Sequence, residues 1–193
     1  MMQHHLMILF SAMLVNNFTL VMFLGLCSFI GVTGKVSVAF RLGLADTFVL
    51  IITSISATIL NKWVLLHAPY LRIIAFIVVI ASMVQITEMA VKKWSPALFR
   101  ELGIYLPLIT TNCAILALAI FQTNRGYGFL EGITFAVGAG AGLILALTLM
   151  ASIRERTELA DIPTIARGTA LVLFIAGGLS LAFMGFSGLL SAQ

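Results

Sequence analysis

Long stretches without a charged side chain dominate this sequence. Only 9% of its 193 residues are Asp, Glu, Lys or Arg, whereas a soluble domain has about 25%. So few charges cannot cover the surface of a soluble globule of this size. The composition therefore excludes an ordinary soluble domain, a disordered chain and a secreted disulfide scaffold. The uncharged runs are 6–34, 47–61, 73–87, 102–124, 132–153 and 168–193.

Each of these runs, alone or with a few flanking polar residues, is long enough to cross a bilayer as a helix. A transmembrane helix needs about 20 mostly apolar residues. We therefore predict an all-α integral membrane protein with six transmembrane helices. The predicted helices span residues 6–32, 43–61, 70–91, 102–122, 130–152 and 168–190.

Basic residues are distributed unequally among the predicted loops. The loops after helices 1, 3 and 5 contain eight Lys and Arg, whereas the remaining loops and both termini contain three. Because cytoplasmic loops are enriched in Lys and Arg, these three loops are predicted to be cytoplasmic and both termini to face the opposite side. The net charge of +4 thus reflects membrane topology, and we expect a lipid bilayer and no nucleic acid as the partner of this surface.

Six helices divide into two halves of three, residues 1–92 and 93–193. If the halves are duplicates, an odd number of helices inverts the second half in the membrane. Inverted-repeat membrane proteins place their functional sites near the midplane, on interrupted helices. We therefore predict two inverted three-helix halves, each with a broken first helix. Helix-breaking residues in those two helices are Gly25, Gly31, Gly34 and Pro107.

Cys27 and Cys113 are the only cysteines in the sequence, and each lies inside a predicted span. Three explanations are open: packing as small apolar side chains, a buried disulfide, or a metal site, since soft thiolates bind zinc, copper(I) and iron–sulfur clusters. An ordinary iron–sulfur cluster takes four thiolates, so a second chain would have to supply half of them. In unbroken helices Cys27 would lie near the cytoplasmic surface and Cys113 roughly 16 Å deep. The two can meet only if one helix is broken, and we place that break at Gly25-Leu26-Cys27.

Other polar residues within the spans are candidate ion-binding or structural groups. Glu88 precedes Lys92 by about one helical turn, which favours an ion pair at the helix end. Asp46 lies near the start of the second span, where pairing or contact with water is expected. Asn16 and Asn17 are expected to hydrogen-bond between helices or to line a site around the cysteines. No phosphate-binding loop or catalytic triad pattern is present, so we do not expect catalysis by this chain alone.

Several stretches together closely resemble the family of membrane subunits found in Rnf and Nqr electron-transport complexes. The most specific run is Leu-Pro-Leu-Ile-Thr-Thr-Asn-Cys-Ala at residues 106–114. The Asn16-Asn17 pair and Thr111 are more similar to the Rnf branch than to the Nqr branch. The stretches that carry the resemblance are 14–18, 23–27, 85–89, 102–114, 153–156 and 181–188.

This resemblance implies a component of a bacterial inner-membrane complex that couples electron transfer between ferredoxin and NAD to the movement of Na⁺ or H⁺. In the family, this component pairs with a homologous six-helix protein of opposite topology, the E-type membrane subunit, beside further subunits that carry iron–sulfur and flavin groups. The termini would then be periplasmic. The family's cluster ligands match Cys27 and Cys113, which implies half of a 2Fe-2S cluster shared with the partner. The residues expected to shape the cofactor pocket are Gly25, Leu26, Thr111 and Asn112.

Asp46 departs from the family pattern, which leads us to expect a small neutral or hydroxyl residue at this position. The leading hypothesis is an electron-relay protein in which the redox state of the cluster biases two arrangements of the inverted halves. Two alternatives remain open: a small inverted-repeat transporter without a metal site, and a structural membrane scaffold.

Overall fold

The computed structural model describes residues 2–63, 72–94, 106–158 and 168–186, and all regular secondary structure in these segments is helical. A π-helical turn, Ser11–Val15, continues the first helix. The helices are α1 (Met2–Phe10), α2 (Leu26–Val32), α3 (Val36–Trp63), α4 (Arg72–Trp94), α5 (Leu106–Thr110), α6 (Cys113–Asn124), α7 (Phe129–Glu158) and α8 (Thr169–Met184).

The all-helical prediction is confirmed for the described residues, and each predicted span contains helix. Two helices, α3 and α7, are long and apolar enough to cross a membrane. Both extend beyond the predicted spans: α3 begins at Val36 instead of Gly43, and α7 continues to Glu158. Charged residues end an apolar segment but do not end a helix, so the sequence criterion located the apolar part only.

The central packing contact is between α3 and α7, and small residues allow it. A Cβ atom on Gly43 would lie 2.7 Å from Ile144 Cγ1, and one on Gly140 would lie 2.5 Å from Thr47 Cγ2. Small residues let two membrane helices approach closely. Since Gly43 lies against Ile144 and Thr47 against Gly140, α3 and α7 are antiparallel.

On its other side, α7 packs against the first helix. A Cβ atom on Gly138 would lie 2.7 Å from the Leu9 carbonyl oxygen, and one on Gly142 would lie 2.8 Å from the Met13 carbonyl oxygen. The order of these contacts shows that α1 and its π-helical turn run in the same direction as α7. Helix α7 therefore lies between the first helix and α3, and any side chain at these glycines would push the three helices apart.

Helix α6 runs in the same direction as α3. Asp46 hydrogen-bonds to Asn112, and further along both helices the carbonyl of Ser54 accepts a hydrogen bond from Gln122. Helix α6 is thus antiparallel to the first helix, which makes the two cysteine-bearing interrupted helices run in opposite directions.

The remaining described helices cover the outside of this core. Helix α4 packs against α3, α5 and α6, and α8 packs against α7 and the π-helical turn. Large apolar side chains are exposed over the outer surface, among them Phe48, Ile74, Phe174 and Leu181. An apolar exterior of this kind is compatible with contact to lipid.

Candidate thiol site at two interrupted helices

The first interruption separates the π-helical turn from α2 and spans residues 16–25. The backbone turns within it, because the Val21 N–H donates to the Asn17 carbonyl (3.0 Å) and the Leu24 N–H donates to the Phe18 carbonyl (2.8 Å). The predicted break at Gly25-Leu26-Cys27 is therefore too short and too late: the interruption ends at Gly25, and Cys27 lies in the first turn of α2.

Asn17 supports the irregular backbone of this interruption. Its Oδ1 accepts hydrogen bonds from the backbone N–H groups of Thr19 and Leu20, at 3.0 and 3.2 Å. Its Nδ2 donates to the carbonyls of Gly142 and Met13, at 2.9 and 3.1 Å. Non-helical backbone inside a membrane protein must have its polar groups satisfied. The buried Asn17 side chain satisfies two N–H groups of the interruption and ties it to carbonyls of the π-helical turn and of α7.

Asn16 has a more local role at the same interruption. It ends the π-helical turn, where its backbone N–H donates to the Ser11 carbonyl at 2.7 Å. Its side-chain Nδ2 donates to Ser11 Oγ at 3.1 Å. Of the two candidate explanations for the Asn16-Asn17 pair, the structure favours hydrogen bonding that fixes the chain path.

Gly25 is the residue at which helical structure resumes, and its geometry requires glycine. Its φ angle is +80°, a left-handed conformation that costs other residues about 1–2 kcal/mol. A Cβ atom at this position would also lie 3.0 Å from Asn112 Oδ1 and 3.6 Å from Ala114 Cβ. Gly25 therefore permits the first interruption to lie directly against the second.

The second interruption is short and separates α5 from α6 at Thr111 and Asn112. Asn112 caps α6: its Oδ1 accepts a hydrogen bond from the Ala114 backbone N–H at 3.0 Å. Asparagine is among the preferred residues for capping a helix N-terminus in this way. The described helix continues from Pro107 to Thr110, so the chain is interrupted after the predicted breaker and not at it.

Asp46 lies beside this cap, in the interior of the protein. It is 0% exposed, and its Oδ2 accepts a hydrogen bond from Asn112 Nδ2 at 3.3 Å. Its Oδ1 has no hydrogen-bond partner among the described residues. Asp46 was expected near a helix end, and this placement was wrong, because α3 begins well before it, at Val36.

The two interruptions bring the cysteines to one place. The Gly25 N–H donates a hydrogen bond to Cys113 Sγ at 2.8 Å, and Cys27 is only two residues beyond Gly25. Both cysteines are free thiols and both are exposed, which argues against the buried disulfide considered from the sequence. Each also lies in the first turn of a helix, where free backbone N–H groups favour negative charge.

The donor chemistry of this pair fits half of an iron–sulfur site. Within the described segments, no group of three or more His, Cys, Asp or Glu side chains lies together. The two exposed thiols are half of the four sulfur ligands that an ordinary cluster takes, so another molecule would have to supply the rest. A backbone N–H already donates to one sulfur, and hydrogen bonds to the sulfurs are one means by which proteins tune such clusters.

The other candidate site residues are distributed unequally around the thiols. Leu26 is partly buried and directly precedes Cys27. Thr111 is exposed and lies two residues before Cys113. Glu88 is partly buried on α4, a separate helix, and its ion pair with Lys92 stays a prediction. The structure thus places Gly25 and Asn112 at the thiols, with Leu26 and Thr111 close to them in sequence, whereas Glu88 belongs to a separate helix.

Sequence reasoning missed two residues that hold the end of α2 and the start of α3. Arg154 Nη1 donates to the Ile30 carbonyl (3.2 Å) and to Thr33 Oγ1 (2.9 Å), and Glu155 Oε1 accepts from the Val36 N–H (3.1 Å). A cation is favourable at a helix C-terminus and an anion at an N-terminus. Loop charge alone indicates only topology, although two adjacent opposite charges at the end of a span could have suggested caps.

The fold and the site define a helical membrane protein that exposes a thiol pair where two antiparallel helices are interrupted. A family model described as "Rnf-Nqr subunit, membrane protein" matches residues 5–190, and the chain belongs to this family.

Among known proteins, the chain is similar to several that are named as the A-type subunit of an ion-translocating oxidoreductase complex. The one from Pseudomonas paraeruginosa is 56% identical over 187 residues, which cover 95% of this chain and 96% of the relative. The one from Shigella flexneri is 52% identical over 190 residues, with 97% and 98% covered. The one from Aeromonas salmonicida is 50% identical over 191 residues, with 98% and 99% covered.

Proposed function

We propose that this chain is the A-type membrane component of an ion-translocating oxidoreductase complex in the bacterial inner membrane. The proposal is supported by relatives of that name that match nearly the whole chain. Their name gives oxidation–reduction coupled to ion movement, and a multi-subunit assembly. The expected electron donor and acceptor pair, ferredoxin and NAD, belongs to the proposal.

Within that complex, Cys27 and Cys113 hold half of a 2Fe-2S cluster, and a homologous partner of opposite topology supplies the other half. The observation that carries this proposal is the 2.8 Å hydrogen bond from the Gly25 N–H to Cys113 Sγ, because it joins the two cysteine-bearing interruptions. Both thiols are exposed, as a site completed by a second chain requires. When bound, the cluster supplies one-electron transfer.

The residues around the thiols orient them and keep the surrounding backbone satisfied. Asn112 caps α6 and so fixes the start of the helix on which Cys113 lies. Gly25 allows the Cys27 segment to approach that cap and donates to the sulfur of Cys113. Asn17 anchors the same segment to α7 through the Gly142 carbonyl. The pair is thereby fixed from both interrupted helices.

The proposed architecture has six transmembrane helices in two inverted halves, residues 1–92 and 93–193, with both termini periplasmic. It is supported by the opposite directions of the two interrupted helices and by the presence of a cysteine in the first turn after each interruption. In an inverted pair, corresponding segments have opposite directions in the membrane. Ion coupling then arises when the charge on the thiol site changes the relative stability of two arrangements of these halves.

Paramagnetic resonance on the reduced, purified complex tests the cluster. We expect a 2Fe-2S signal in the wild type and its loss in both Cys27→Ser and Cys113→Ser. The control is Ser56→Ala, which removes a hydroxyl hydrogen-bonded to the Ile52 carbonyl within α3 and should leave the signal unchanged. Retention of the signal and of the iron content in either cysteine variant would refute the shared cluster.

A further inference from the structure

Asp46 is a buried acid with one hydrogen-bond partner among the described residues. The hydrogen bond from Asn112 at 3.3 Å satisfies Oδ2, and Oδ1 is unpartnered in the same part of the chain. Transferring an ionised carboxylate from water into a protein interior costs several kcal/mol even after the surroundings relax. Such a group is normally neutralised, either by a proton or by a bound positive ion.

Asp46 has no ion-pair partner among the residues that the structure describes. Helices α2 and α6 contain no ionisable side chain in their described ranges except the two cysteines. On α7, Arg154 binds the end of α2 and Glu155 binds the Val36 N–H. The other charged groups on the packed helices are Arg41 and Lys62 on α3, Arg72, Glu88, Lys92 and Lys93 on α4, and Glu131, Arg156 and Glu158 on α7.

A row of buried polar atoms continues from Asp46 along α3. Thr53 and Ser54 lie about two helical turns further on, roughly 10–12 Å along the axis and on the same side of the helix. The hydroxyl oxygens of both residues and the Oε1 of Gln122 on α6 are buried without partners in the described structure. If these side chains served only to join helices, their oxygens would be satisfied by hydrogen bonds within the protein. Buried oxygens without partners therefore favour a role in binding a mobile polar species.

Gly132 on α7 allows the Gln122 side chain to approach closely at the far end of this row. A Cβ atom there would collide with the Gln122 amide and would lie 3.0 Å from Ser54 Oγ. The Gln122 Nε2 already donates to Thr58 Oγ1 at 2.8 Å and to the Ser54 carbonyl at 3.2 Å. The side-chain oxygens of Ser54 and Gln122 therefore remain as acceptors beside a position without a side chain.

We propose that the Asp46 carboxylate is an exchangeable binding site for a monovalent cation, a proton or an alkali-metal ion. The oxygens of Thr53, Ser54 and Gln122 form its route toward the C-terminal end of α3. Asn112 connects the two charges, because it binds Asp46 through its amide and caps the helix that begins with Cys113. A cation at Asp46 thus compensates negative charge at the thiols, which deepens the ion-translocation part of the proposed function and rests on it for the coupling.

Infrared spectroscopy of the purified complex tests the site through the C=O stretch of a protonated carboxyl group. We expect a band that is absent from Asp46→Asn, whose amide oxygen can still accept from Asn112. The wild-type band should disappear as the pH rises. At fixed pH, NaCl but not choline chloride should remove it if an alkali-metal ion binds, whereas equal spectra in the two salts would identify the proton. The control, Glu131→Gln, alters a surface carboxylate and should retain the band.

Two results would overturn the site. A band that is constant at every pH and sodium concentration would mean a permanently protonated structural residue, and a band absent under all conditions would mean a carboxylate with a fixed countercharge.

Gln122→Leu should slow the pH-driven change without altering its end states, and an unchanged rate would refute the route. Paramagnetic resonance on the same samples separates the outcomes: a 2Fe-2S signal with a constant band refutes the cation site alone, and a titrating band without the signal refutes the cluster alone.

Discussion

The two helix interruptions place a cysteine at equivalent points but support their backbones differently. The first covers residues 16–25 and depends on Asn17. The Asn17 side chain hydrogen-bonds to backbone groups that precede and follow Asn17 in the chain, and to a carbonyl of α7. The second covers only two residues and depends on the Asn112 cap, which is held in turn by Asp46. The first support is made with neutral amide and backbone groups, and the second includes a buried acid.

Because of this difference, the first interruption determines the path of the chain at the thiol site, and the second determines which charged group is near it. The long interruption lets the chain reach the second helix, and its support by Asn17 involves no titratable group. The short interruption is the one that connects the thiols to an ionisable residue. A substitution in the first should therefore affect folding most, whereas a substitution in the second should affect the site more than the fold.

Asn17→Leu is expected to have the largest effect. It leaves the buried backbone N–H groups of Thr19 and Leu20 without a partner, at about 1–3 kcal/mol each. It also removes the hydrogen bonds that tie the interruption to the Met13 and Gly142 carbonyls. We expect the free energy of unfolding to fall by about 3–5 kcal/mol in all, measured by thermal or denaturant unfolding in detergent. The matched control is Asn16→Leu, which removes a single side-chain hydrogen bond. Equal losses in the two variants would contradict the assigned role of Asn17.

Gly25→Ala should have the next largest effect, and it tests the contact between the interruptions. The left-handed φ angle costs about 1–2 kcal/mol for alanine, and the new Cβ atom would press on Asn112 Oδ1, 3.0 Å away. We expect lower thermal stability together with a changed 2Fe-2S spectrum. Gly34→Ala is the control, because its Cβ atom would meet nothing within 4 Å. A spectrum that changes equally in both variants would mean that the two interruptions are not in contact.

Asn112 substitutions should have the smallest effect on stability and can divide its two roles. Asn112→Ala removes the cap, at a cost of about 1 kcal/mol, and also the hydrogen bond to Asp46. Asn112→Ser keeps a capping oxygen but lacks the amide that reaches Asp46. We expect serine to restore most of the stability in thermal unfolding. It should not restore the dependence of the 2Fe-2S spectrum on sodium concentration or pH. Full restoration of both by serine would show that Asp46 does not act through Asn112.

The sequence predicted the helical class and the apolar segments, because charge distribution and residue type carry that information directly. It also predicted interruptions, from glycines near Cys27 and from the need for the cysteines to meet. It could not give the length of the first interruption, since that depends on the long-range bond between Asn17 and Gly142. The burial of Asp46 was missed for the same reason: its position near one end of an apolar run says nothing of the helix that covers it.

A cluster held by Cys27 and Cys113 requires that the two interruptions place these residues together. This can be measured on the chain purified in detergent without partner or cluster, with a short bifunctional thiol reagent and peptide mass spectrometry. We expect a single reagent molecule that bridges Cys27 to Cys113 in the wild type, and only single-ended adducts in Cys27→Ser and Cys113→Ser. Two separate single-ended adducts per wild-type chain, with no bridged peptide pair, would contradict this placement.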